Sequence, residues 1–483
     1  MNRPLMDFQT AAAALGARLL PPGAAGGFGS VAIDSRKAAA GSLFIALRGL
    51  ASDGHLFLRS ALDAGAAAAL VTEAGMEAAG FDPASSPVPL LVVEDTLRGL
   101  QDLAAAYLDS FPRLVRIGIT GSSGKTTTKE IAAAMIGAEK KVVMNPGNLN
   151  SETGLPLSVF TVREEHEVGV FEAGMNRKGE IAELAAVLRP HIALVTNIGP
   201  AHIGVLGSME AVAEEKKEIF SRFTGNETAL LPGDDPFRDY LASNVRGKVV
   251  FYGQKDLEGS GKLNGVHDRG LEGTEIVWEG IPAPFALPGK HNVKNALAAA
   301  ALADEAGVSA GAIREGLASV RGLFGRGEIL RGKTTVIRDC YNSNPDSAAE
   351  AIAFCDALSW PGRRVYVIGS MLELGEHEEE AHRKLGEILA GSKADLVFLY
   401  GKETAAAFGM APPAGAPGTA PPGAARGAAA GASWFHTGSM DELIALSERH
   451  IREGDMVLLK GSRGCALERL SDTVMLKERG GVS

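Results

Sequence analysis

The chain has 483 residues, of which 46% are apolar and 22% charged, and its formal net charge is −10. This length predicts roughly three domains with packed cores, and the acidic balance argues against a nucleic-acid-binding surface. The three cysteines form no pair typical of structural zinc, no apolar run is long enough to cross a membrane, and the N-terminus is a poor signal peptide. We therefore expect a soluble, cytoplasmic protein that binds neither nucleic acid nor a membrane.

Residues 1–111 are predicted to form a small α/β domain. Their apolar patterns predict helices over residues 7–20 and 56–69, and strands over residues 31–33, 41–49 and 90–93. Polar clusters follow two of these strands, where ligands of α/β sheets commonly bind. Taken alone, both clusters are typical of turns; they are Asp34-Ser35-Arg36 and Asp53-Gly54-His55.

The next block, residues 112–322, opens with a phosphate-binding loop pattern. An apolar strand over residues 114–119 precedes the sequence GSSGKT at residues 121–126, and an alanine-rich helical pattern follows. Strand, glycine loop and helix in this order provide backbone N–H groups and a helix N-terminus for phosphate. Lys125 can reach the β- and γ-phosphates, and Thr126 can offer its hydroxyl to Mg²⁺. The predicted nucleotide loop comprises Gly121, Ser122, Ser123, Gly124, Lys125, Thr126 and Thr127.

The spacing of this loop leaves an alternative open. Two residues separate the glycines, whereas the general pattern has four, so a tight strand–helix turn is the other interpretation. Two further polar residues favour a site, because Glu172 and His202 each follow an apolar strand pattern, over residues 168–171 and 192–196. If the strands are parallel, these side chains lie with Lys125 at the ligand-binding edge of one sheet, where a carboxylate can bind Mg²⁺.

The third block, residues 323–483, is predicted to be a Rossmann-like domain with a parallel sheet. Strand patterns over residues 335–337, 365–368, 396–400 and 456–459 alternate with helical patterns over residues 347–358, 378–389 and 441–450. No Gly-x-Gly-x-x-Gly sequence is present, so a dinucleotide is not implied. Residues 411–433 are rich in Ala, Gly and Pro, and we interpret them as a flexible surface insertion.

Together, these motifs resemble the bacterial Mur ligases over nearly the whole chain. The most specific motif is DCYNSNPDS at residues 339–347, which is similar to the D-x-Y-N-x-N-P-D-S signature of one branch of that family. Further similar runs are DSR at 34–36, GNLN at 147–150, EAGMN at 172–176, LPG at 287–289 with HN at 291–292, and LKGSR at 459–463. One departure is Ser370 in GSM, where the family often has GDM.

The resemblance implies metal and nucleotide sites in the central domain. It assigns Thr126 to one Mg²⁺ ion, and Glu172 and His202 to a second. Lys216, in a Lys-x-x-Ile-Phe run, matches a lysine that family members carry as a carbamate, which would be a further Mg²⁺ ligand. The sequence alone favours a solvated helix face for Lys216, and the neighbouring Lys217 is the alternative register. The implied contacts with adenine, ribose and the rest of ATP are Asn292, Asn295, Arg326 and Asp339.

It also implies where the other substrates bind. The UDP end would contact the first domain at Ser35, Arg36, Asp53 and His55, and the polar loop of the central domain would contact substrate through Asn148 and Asn150. The last domain would bind D-alanyl-D-alanine, and the candidate contacts there are Asn342, Asn344 and Arg463.

The function implied by the resemblance is ATP-dependent amide ligation in peptidoglycan synthesis. UDP-N-acetylmuramoyl-tripeptide would be activated as an acyl phosphate and joined to D-alanyl-D-alanine by a monomeric three-domain enzyme with two Mg²⁺ ions. Closure of the last domain, with a hinge near Gly322, Gly325 and Gly327, would shield the acyl phosphate from water. The alternatives are another Mur-type ligase, a ligase of the folylpolyglutamate synthetase type, and a nucleotide-driven switch ATPase that binds a partner protein.

Overall fold

A computed structural model describes residues 4–49, 52–322, 324–411 and 432–475 of the chain. The described residues form three α/β units in sequence order, each built around its own sheet. The predicted fold class, with a small α/β domain, a central domain with a parallel sheet and a Rossmann-like C-terminal domain, is confirmed. Among the described residues, no helix has the length and apolarity needed to span a membrane.

The first domain contains a five-stranded sheet. One edge strand is antiparallel to its neighbour and the other strands are parallel. In spatial order the strands are Arg18–Leu20, Leu90–Val92, Ala68–Val71, Ser42–Ile45 and Ser30–Ala32, and a small ribbon pairs Met6–Asp7 with Gly27–Phe28. The helices are Phe8–Leu15, Leu58–Asp63, Glu73–Ala78 and Thr96–Asp109.

Two helices predicted in this domain are too long. The first ends at Leu15, because Gly16 takes a left-handed conformation with φ 59° and stops it, and residues 18–20 form a strand instead. The second covers only Leu58–Asp63, and the alanines at its predicted end belong to the fully buried strand Ala68–Val71. A short, uniformly apolar run lacks the periodicity that separates a helix from a buried strand.

The central domain is built on six parallel strands. Their spatial order is Lys248–Tyr252, Thr228–Pro232, Ile192–Val195, Val115–Thr120, Val168–Glu172 and Val142–Met144. Its helices are Lys125–Gly137, Gly154–Val159, Glu180–Leu188, Ile203–Leu206, Met209–Lys217, Arg238–Ala242, Gln254–Gly259, Lys290–Glu305 and Ala310–Ser319. The strand Val115–Thr120, which precedes the glycine loop, has two neighbours: one ends in Glu172 and the other precedes His202. Lys125, Glu172 and His202 therefore lie at the same edge of the sheet, as the patterns predict.

A three-stranded antiparallel sheet in the same domain is absent from the sequence-based prediction. It consists of Leu263–Asp268, Thr274–Trp278 and Ile281–Phe285, and its Trp278 is fully buried. The phosphate-loop helix, Lys125–Gly137, packs against Lys290–Glu305 and Ala310–Ser319. At Gly316 the helix Ala310–Ser319 lies so close to the helix Lys125–Gly137 that a Cβ atom would collide with the backbone of Met135.

The C-terminal domain has a six-stranded sheet with one antiparallel edge strand. The order is Glu328–Arg331, Thr335–Asp339, Met456–Lys460, Arg364–Gly369, Leu396–Tyr400 and Ser433–Thr437. Its helices are Pro345–Ala357, Glu378–Ala390, Ala405–Phe408, Met440–His450 and Ser471–Val474. All four predicted strands and all three predicted helices are present, whereas the predicted insertion at 411–433 lies almost entirely outside the described residues. Cys340, Cys355 and Cys465 are buried in this domain.

The first two domains share one hydrophobic core. The helix Thr96–Asp109 of the first domain contributes buried side chains to it and packs on the central domain. This bridging helix packs on Gly154–Val159 and Glu180–Leu188 of the central domain. The side chains of Leu100, Leu103 and Leu108 are fully buried in that core, and Tyr107 Oη donates a hydrogen bond to the Val162 carbonyl oxygen at 2.8 Å. The first and central domains are therefore expected to move as a single body.

The central and C-terminal domains meet through backbone, polar and apolar contacts. Backbone meets backbone where Gly204 faces Gly375, because a Cβ on Gly204 would lie 2.8 Å from the Gly375 nitrogen. His202 Nδ1 lies 3.8 Å from Glu373 Oε2, and the side chain of Leu271 packs on the C-terminal core. This interface brings the carboxyl ends of the two large parallel sheets together.

Candidate active site

The carboxyl ends of the central and C-terminal strands face each other across a cleft that holds a cavity of about 360 Å³. Most of the residues predicted from the sequence line this cavity. They are Ser122, Ser123, Gly124, Lys125, Thr126, Thr127, Asn148, Asn150, Glu172, His202, Asn292, Asn295, Arg326, Asp339, Asn342, Asn344 and Arg463. Gly121, Lys216, Ser35, Arg36, Asp53 and His55 are not among the lining residues.

Glycines and an asparagine shape the phosphate loop. Gly121 and Gly124 have φ values of 143° and 77°, conformations that favour glycine. The backbone N–H of Ser122 donates to the Asn197 carbonyl oxygen at 3.0 Å, and that of Ser123 donates to the Asn197 side chain at 2.9 Å. These two amides are therefore used inside the protein, which leaves the N–H groups at the start of the helix Lys125–Gly137 to face a phosphate.

Lys125 is held at the centre of the loop. Its Nζ donates to the carbonyl oxygen of Gly121 at 2.7 Å. Burial lowers the pKa of Lys125, Arg326 lowers it further, and the negative charges of Glu172 and Glu373 oppose that shift. The ammonium thus lies among charges from both walls of the cleft.

Glu172 is the hub of a hydrogen-bond network. Its Oε2 accepts from Thr126 Oγ1 at 2.7 Å, and its Oε1 accepts from Asn150 Nδ2 at 2.6 Å. Asn145 fixes the backbone of Glu172 from the other side, accepting its N–H at 2.9 Å and donating to its carbonyl oxygen at 3.1 Å. The buried ammonium of Lys129 in turn donates to the Asn145 carbonyl oxygen at 2.6 Å. A hydroxyl and a carboxylate therefore converge at one rigid point beside Lys125.

His202 lies at the central-domain side of the domain interface. It precedes the short helix Ile203–Leu206 with a left-handed φ of 61°. Burial and, to a lesser extent, the nearby Lys216 and Lys125 together lower the pKa of His202 to about 4. The imidazole is therefore neutral at physiological pH, which is the form that binds a metal ion.

Lys216 and Lys217 occupy different environments. Lys216 is fully buried at the end of the helix Met209–Lys217, and among the described residues its Nζ has no hydrogen-bond partner. Burial, followed by the charge of Lys125, holds the pKa of Lys216 well below its usual value. Lys217 instead points outward and donates to the Tyr240 carbonyl oxygen at 2.7 Å. Lys216 is therefore the unusual lysine of the pair, although it does not line the cavity.

The helix that carries Lys216 is positioned by a buried carboxylate. Glu215 accepts the backbone N–H groups of Gly179 at 2.8 Å and Ile181 at 2.9 Å. Glu180 similarly accepts the N–H of Asn176 at 2.6 Å and that of Glu152 at 3.1 Å.

Among the described residues there is no group of three or more His, Cys, Asp or Glu side chains that could hold a metal ion. A cation in this cleft would therefore also need hydroxyl, lysine-derived or substrate oxygens.

The predicted nucleotide contacts differ in whether their polar groups are already bonded within the protein. Asn295 packs against Gly124 of the phosphate loop, and the guanidinium of Arg326 lies over the Tyr341 ring at 4.0 Å. The buried amide of Asn292 donates to the Pro288 carbonyl oxygen at 2.8 Å. Asp339 is paired with the buried Lys460, whose Nζ lies 2.9 Å from Asp339 Oδ2.

Several lining residues were missed by the sequence-based prediction. Lys460 is the last residue of a strand of the C-terminal sheet. It appears above only within the LKGSR run, although its position at a strand end could have identified it as a candidate. Tyr341, His291 and Glu373 also line the cavity. Glu373 has a left-handed φ of 68°, which is uncommon for a residue other than glycine.

On the C-terminal side of the cleft, all three predicted residues already have partners within the protein. Asn344 caps the helix Pro345–Ala357 and accepts the Ser347 N–H at 2.8 Å in a capping box. Arg463 donates to Glu468 Oε1 at 2.8 Å and keeps 57% of its side chain exposed. The Asn342 side chain accepts the N–H of Ser343. Arg463 and Asn342 are both exposed, whereas Asn344 is half-buried.

The four predicted residues of the first domain lie in local turn contacts. Arg36 forms a two-pronged contact with Asp34, at 2.9 Å and 2.7 Å, and Ser35 begins the same turn. His55 is buried, with Nδ1 bonded to Asp53 Oδ1 at 2.7 Å and Nε2 accepting the Thr72 N–H at 3.0 Å. Both ring nitrogens are therefore engaged within the protein, and His55 connects the Asp53 turn to the helix Glu73–Ala78.

Comparisons with known proteins match each of the three domains. The family models described as "Mur ligase family, catalytic domain", "Mur ligase middle domain" and "Mur ligase, glutamate ligase domain" match residues 28–108, 119–303 and 325–463. A UDP-N-acetylmuramoyl-tripeptide–D-alanyl-D-alanine ligase from Treponema pallidum is 44% identical over 481 residues, covering 98% of this chain and 100% of the relative.

Two solved structures show the same architecture. MurF from Acinetobacter baumannii superposes with a TM-score of 0.83 at 28% identity, covering 98% of this chain and 100% of that one. MurF ligase from Thermotoga maritima, solved in complex with ADP, superposes with a TM-score of 0.75 at 26% identity, covering 92% of this chain and 97% of that one.

Proposed function

Because the chain belongs to the Mur ligase family, we propose that it joins D-alanyl-D-alanine to UDP-N-acetylmuramoyl-tripeptide at the expense of ATP. The observation that carries the proposal is the pairing of two sheet edges across one cleft. The phosphate loop lies on one wall, and the end of the strand Thr335–Asp339, with the polar run that follows it, lies on the other. Nucleotide and acceptor amine can meet only where these two walls face each other. The full-length similarity to ligases of this name supports the same assignment.

The proposed reaction has two steps. The terminal carboxylate of the tripeptide attacks the γ-phosphorus of ATP, forming an acyl phosphate and releasing ADP. The amine of D-alanyl-D-alanine then attacks the acyl carbon, an amide bond forms, and inorganic phosphate leaves with the loss of one proton from the nitrogen. Lys125 and the N-terminus of its helix stabilise the phosphoryl group during the first step. The C-terminal domain excludes water from the acyl phosphate.

The residues of the central wall fit two Mg²⁺ ions. The Thr126 hydroxyl and the Glu172 carboxylate meet at 2.7 Å, His202 is neutral, and Mg²⁺ is commonly bound by one or two protein carboxylates together with substrate phosphates. We assign Thr126 to one ion, and Glu172, His202 and a modified Lys216 to the other. When bound, the two ions would offset the negative charge of the phosphates and the attacking carboxylate.

The proposal includes a carbamate on Lys216. The Lys216 amine is buried without a hydrogen-bond partner among the described residues, and burial lowers its pKa, which favours the uncharged form that reacts with CO₂. The carbamate would supply anionic oxygen ligands. ¹³C NMR of protein equilibrated with ¹³C-bicarbonate should show one carbamate signal that Lys216→Gln removes and Lys217→Gln, the matched control, retains. A signal in both variants, or in neither variant nor the unsubstituted chain, would contradict the assignment.

The roles of the domains and the form of the enzyme are also part of the proposal. We assign UDP binding to residues 1–111, ATP binding to residues 112–322 and D-alanyl-D-alanine binding to residues 323–483. The first assignment includes Ser35, Arg36 and Asp53, although the structure gives His55 an internal role. One chain supplies both walls of the cleft, which supports an active monomer. The use of ATP and a nucleotide-linked substrate supports action in the cytoplasm.

The decisive test is phosphate release from ATP and Mg²⁺ with UDP-N-acetylmuramoyl-tripeptide, with and without D-alanyl-D-alanine. We expect release to require the dipeptide, and the UDP product to gain the mass of the dipeptide less one water. The reaction repeated with a lysine-containing and a diaminopimelate-containing tripeptide would identify the acceptor. ATP turnover indifferent to both substrates would overturn the proposal in favour of a switch ATPase, and turnover with a folate and glutamate would favour the other ligase class.

A further inference from the structure

Three neighbouring strands of the C-terminal sheet end on the cleft and bring together the groups that a dipeptide needs. Thr335–Asp339 pairs with Met456–Lys460, which pairs with Arg364–Gly369, and all three run parallel. The segment after each strand therefore leaves the sheet at the same edge. Each of these segments contributes a polar side chain to the cavity: Ser343, Arg463 and Glu373.

The segments that carry Glu373 and Arg463 lie side by side. The N–H of Ser462 donates to the Ser370 carbonyl oxygen at 3.1 Å, and the N–H of Leu372 donates to Ser462 Oγ at 3.0 Å. Neighbouring strands are about 4.8 Å apart, and two residues of extended peptide span at most about 7 Å. A dipeptide can therefore reach from one segment to the other.

The charges on these segments are opposite and both are accessible. Glu373 keeps 71% of its side chain exposed, and its Oε2 lies 3.8 Å from Nδ1 of His202. Arg463 is 57% exposed although it also pairs with Glu468 Oε1 at 2.8 Å. Its guanidinium lies 5.7 Å from the ring centre of Phe324 and 5.8 Å from that of Tyr341. The other ion pair at these strand ends, Lys460 with Asp339, is buried and closed at 2.9 Å.

A hydroxyl on the third segment points to a ligand independently of these charges. Ser343 is 3% exposed and lines the cavity, and its Oγ has no hydrogen-bond partner among the described residues. A buried hydroxyl without a partner is unfavourable, so a ligand that bonds it gains affinity. The main chain of Ser343 is within reach of Ser462, since Ser462 Oγ donates to its carbonyl oxygen at 3.4 Å.

We propose that Glu373 binds the ammonium end of the dipeptide, Arg463 binds its carboxylate, and Ser343 donates to or accepts from the peptide between them. The inference rests on the proposed function and adds the direction of the substrate. Glu373 lies beside His202 and is close enough for its charge to act on Lys125, so the amine end points toward the phosphate loop, where the acyl group forms. Free dipeptides are mostly protonated at neutral pH, because α-amino groups have pKa values near 8. The bound ammonium must therefore give one proton to the Glu373 carboxylate or to water before its nitrogen attacks the acyl carbon, and it loses the second as the amide forms.

The carboxylate arm of the test uses D-alanyl-D-alaninamide, in which an amide replaces the terminal carboxylate. The unsubstituted enzyme should prefer D-alanyl-D-alanine by about 10- to 100-fold in kcat/KM, the range expected for a charge-assisted contact. In Arg463→Met that preference should fall to about the level of a neutral contact, less than roughly tenfold. Arg469→Met, an exposed arginine of the same segment outside the cavity, should retain the full preference.

The amine arm uses Glu373→Gln and its control Glu376→Gln, a neighbouring exposed carboxylate that does not line the cavity. Glu373→Gln should raise KM for D-alanyl-D-alanine by about tenfold or more while KM for ATP and for the UDP-tripeptide stays unchanged. As a competitive inhibitor, D-lactoyl-D-alanine has an uncharged hydroxyl in place of the amine, so Glu373→Gln should weaken its binding less than it weakens that of D-alanyl-D-alanine.

The outcomes separate this inference from the proposed function. If the unsubstituted chain shows no dipeptide-dependent phosphate release, the proposed function fails and the inference fails with it. If ligation occurs but the amide analogue is used as well as the acid, or Glu373→Gln leaves KM for the dipeptide unchanged, only the inference is overturned. A variant that instead changes kcat and all three KM values together would show that Glu373 serves only to dock the domain on His202.

Discussion

At the scale of single residues, burial on the central-domain side of the cleft lowers the pKa values of basic groups. His202 and Lys216 both have lowered pKa values, and burial is the largest cause for each. Such groups make stability depend on pH, since the unfolded chain binds protons that the folded chain rejects. The same property leaves nitrogen atoms available to a metal ion or to CO₂.

We expect His202 to make the protein less stable as the pH falls from about 6.5 to about 4. The folded pKa of about 4 is below the usual value, so the unfolded state takes up the proton first and stability is lost on acidification through this window. The loss between pH 7 and pH 5 should be roughly 1–2 kcal/mol. Urea unfolding of His202→Gln without nucleotide or metal should show a correspondingly flatter profile. An unchanged dependence of stability on pH would indicate that the His202 imidazole is exposed to solvent in the folded protein.

Residue-level prediction of position was accurate for three residues that follow strands of the central sheet. Lys125, Glu172 and His202 could be placed at one edge from apolar runs alone, because parallel strands end together. Glu373 and the orphaned Ser343 hydroxyl could not be found in this way, since a left-handed backbone and an unpaired buried atom exist only in the folded chain. The internal bonds of His55 are equally invisible in sequence, where a histidine in a turn resembles a ligand.

At the scale of elements, Asn344 allows folding and binding to be separated. Asn344→Ala removes the cap of the helix Pro345–Ala357 and should lower the free energy of unfolding by about 1 kcal/mol. Asn344→Asp keeps an acceptor for the Ser347 N–H and should unfold like the unsubstituted chain. Comparison of kcat/KM for the dipeptide in the Asp variant then measures any contact of the amide with substrate. Equal stability of all three proteins would contradict the capping role.

Helix packing behind the phosphate loop offers a second prediction. Gly316→Ala forces the helix Ala310–Ser319 away from Met135 and should destabilise the protein by about 1–3 kcal/mol. Gly311→Ala in the same helix meets only Ser309 Oγ, at 3.9 Å, and should be neutral or stabilising by up to about 1 kcal/mol. Thermal unfolding followed by circular dichroism would compare them, and equal midpoints would argue against close packing at Gly316.

Prediction of elements was accurate where strands and helices alternate and poor where apolar residues are uniform. All the predicted elements of the C-terminal domain are present, because each strand there is bounded by polar turns. The first two residues of the strand Ala68–Val71 were assigned to the end of a helix because alanine carries no periodic signal. The antiparallel strands between residues 263 and 285 are short and interrupted by glycine and proline, so no single segment of the sequence identifies the sheet.

At the scale of the whole molecule, one interface is a shared core and the other is a docking contact. The bridging helix Thr96–Asp109 joins the first two domains through buried leucines, a relation that cannot be read from sequence because an amphipathic helix does not reveal which domain it packs against. The C-terminal domain meets the others through Gly204, His202 and a few further contacts. Domain closure, where it occurs, is therefore expected at the second interface.

Gly204→Ala should weaken that docking without unfolding either domain. Its Cβ would lie 2.8 Å from the Gly375 nitrogen, so the two backbones must separate. Small-angle X-ray scattering should show a larger radius of gyration, and kcat should fall by about 10- to 100-fold, as expected when reacting groups are displaced by about 1 Å. Gly259→Ala, which meets nothing within 4 Å, is the control. An unchanged radius of gyration with full activity would contradict the prediction.

The distribution of thiols gives the protein a natural reporter of one domain. All three cysteines of the sequence lie in the C-terminal domain, and burial raises the pKa of Cys340 to about 11 and raises those of Cys355 and Cys465. Alkylating reagents attack the exposed thiolate, so labelling must wait until this domain opens. The rate of cysteine alkylation therefore reports how fast the C-terminal domain alone opens. The measurement needs no engineered probe and can be made with any substrate present.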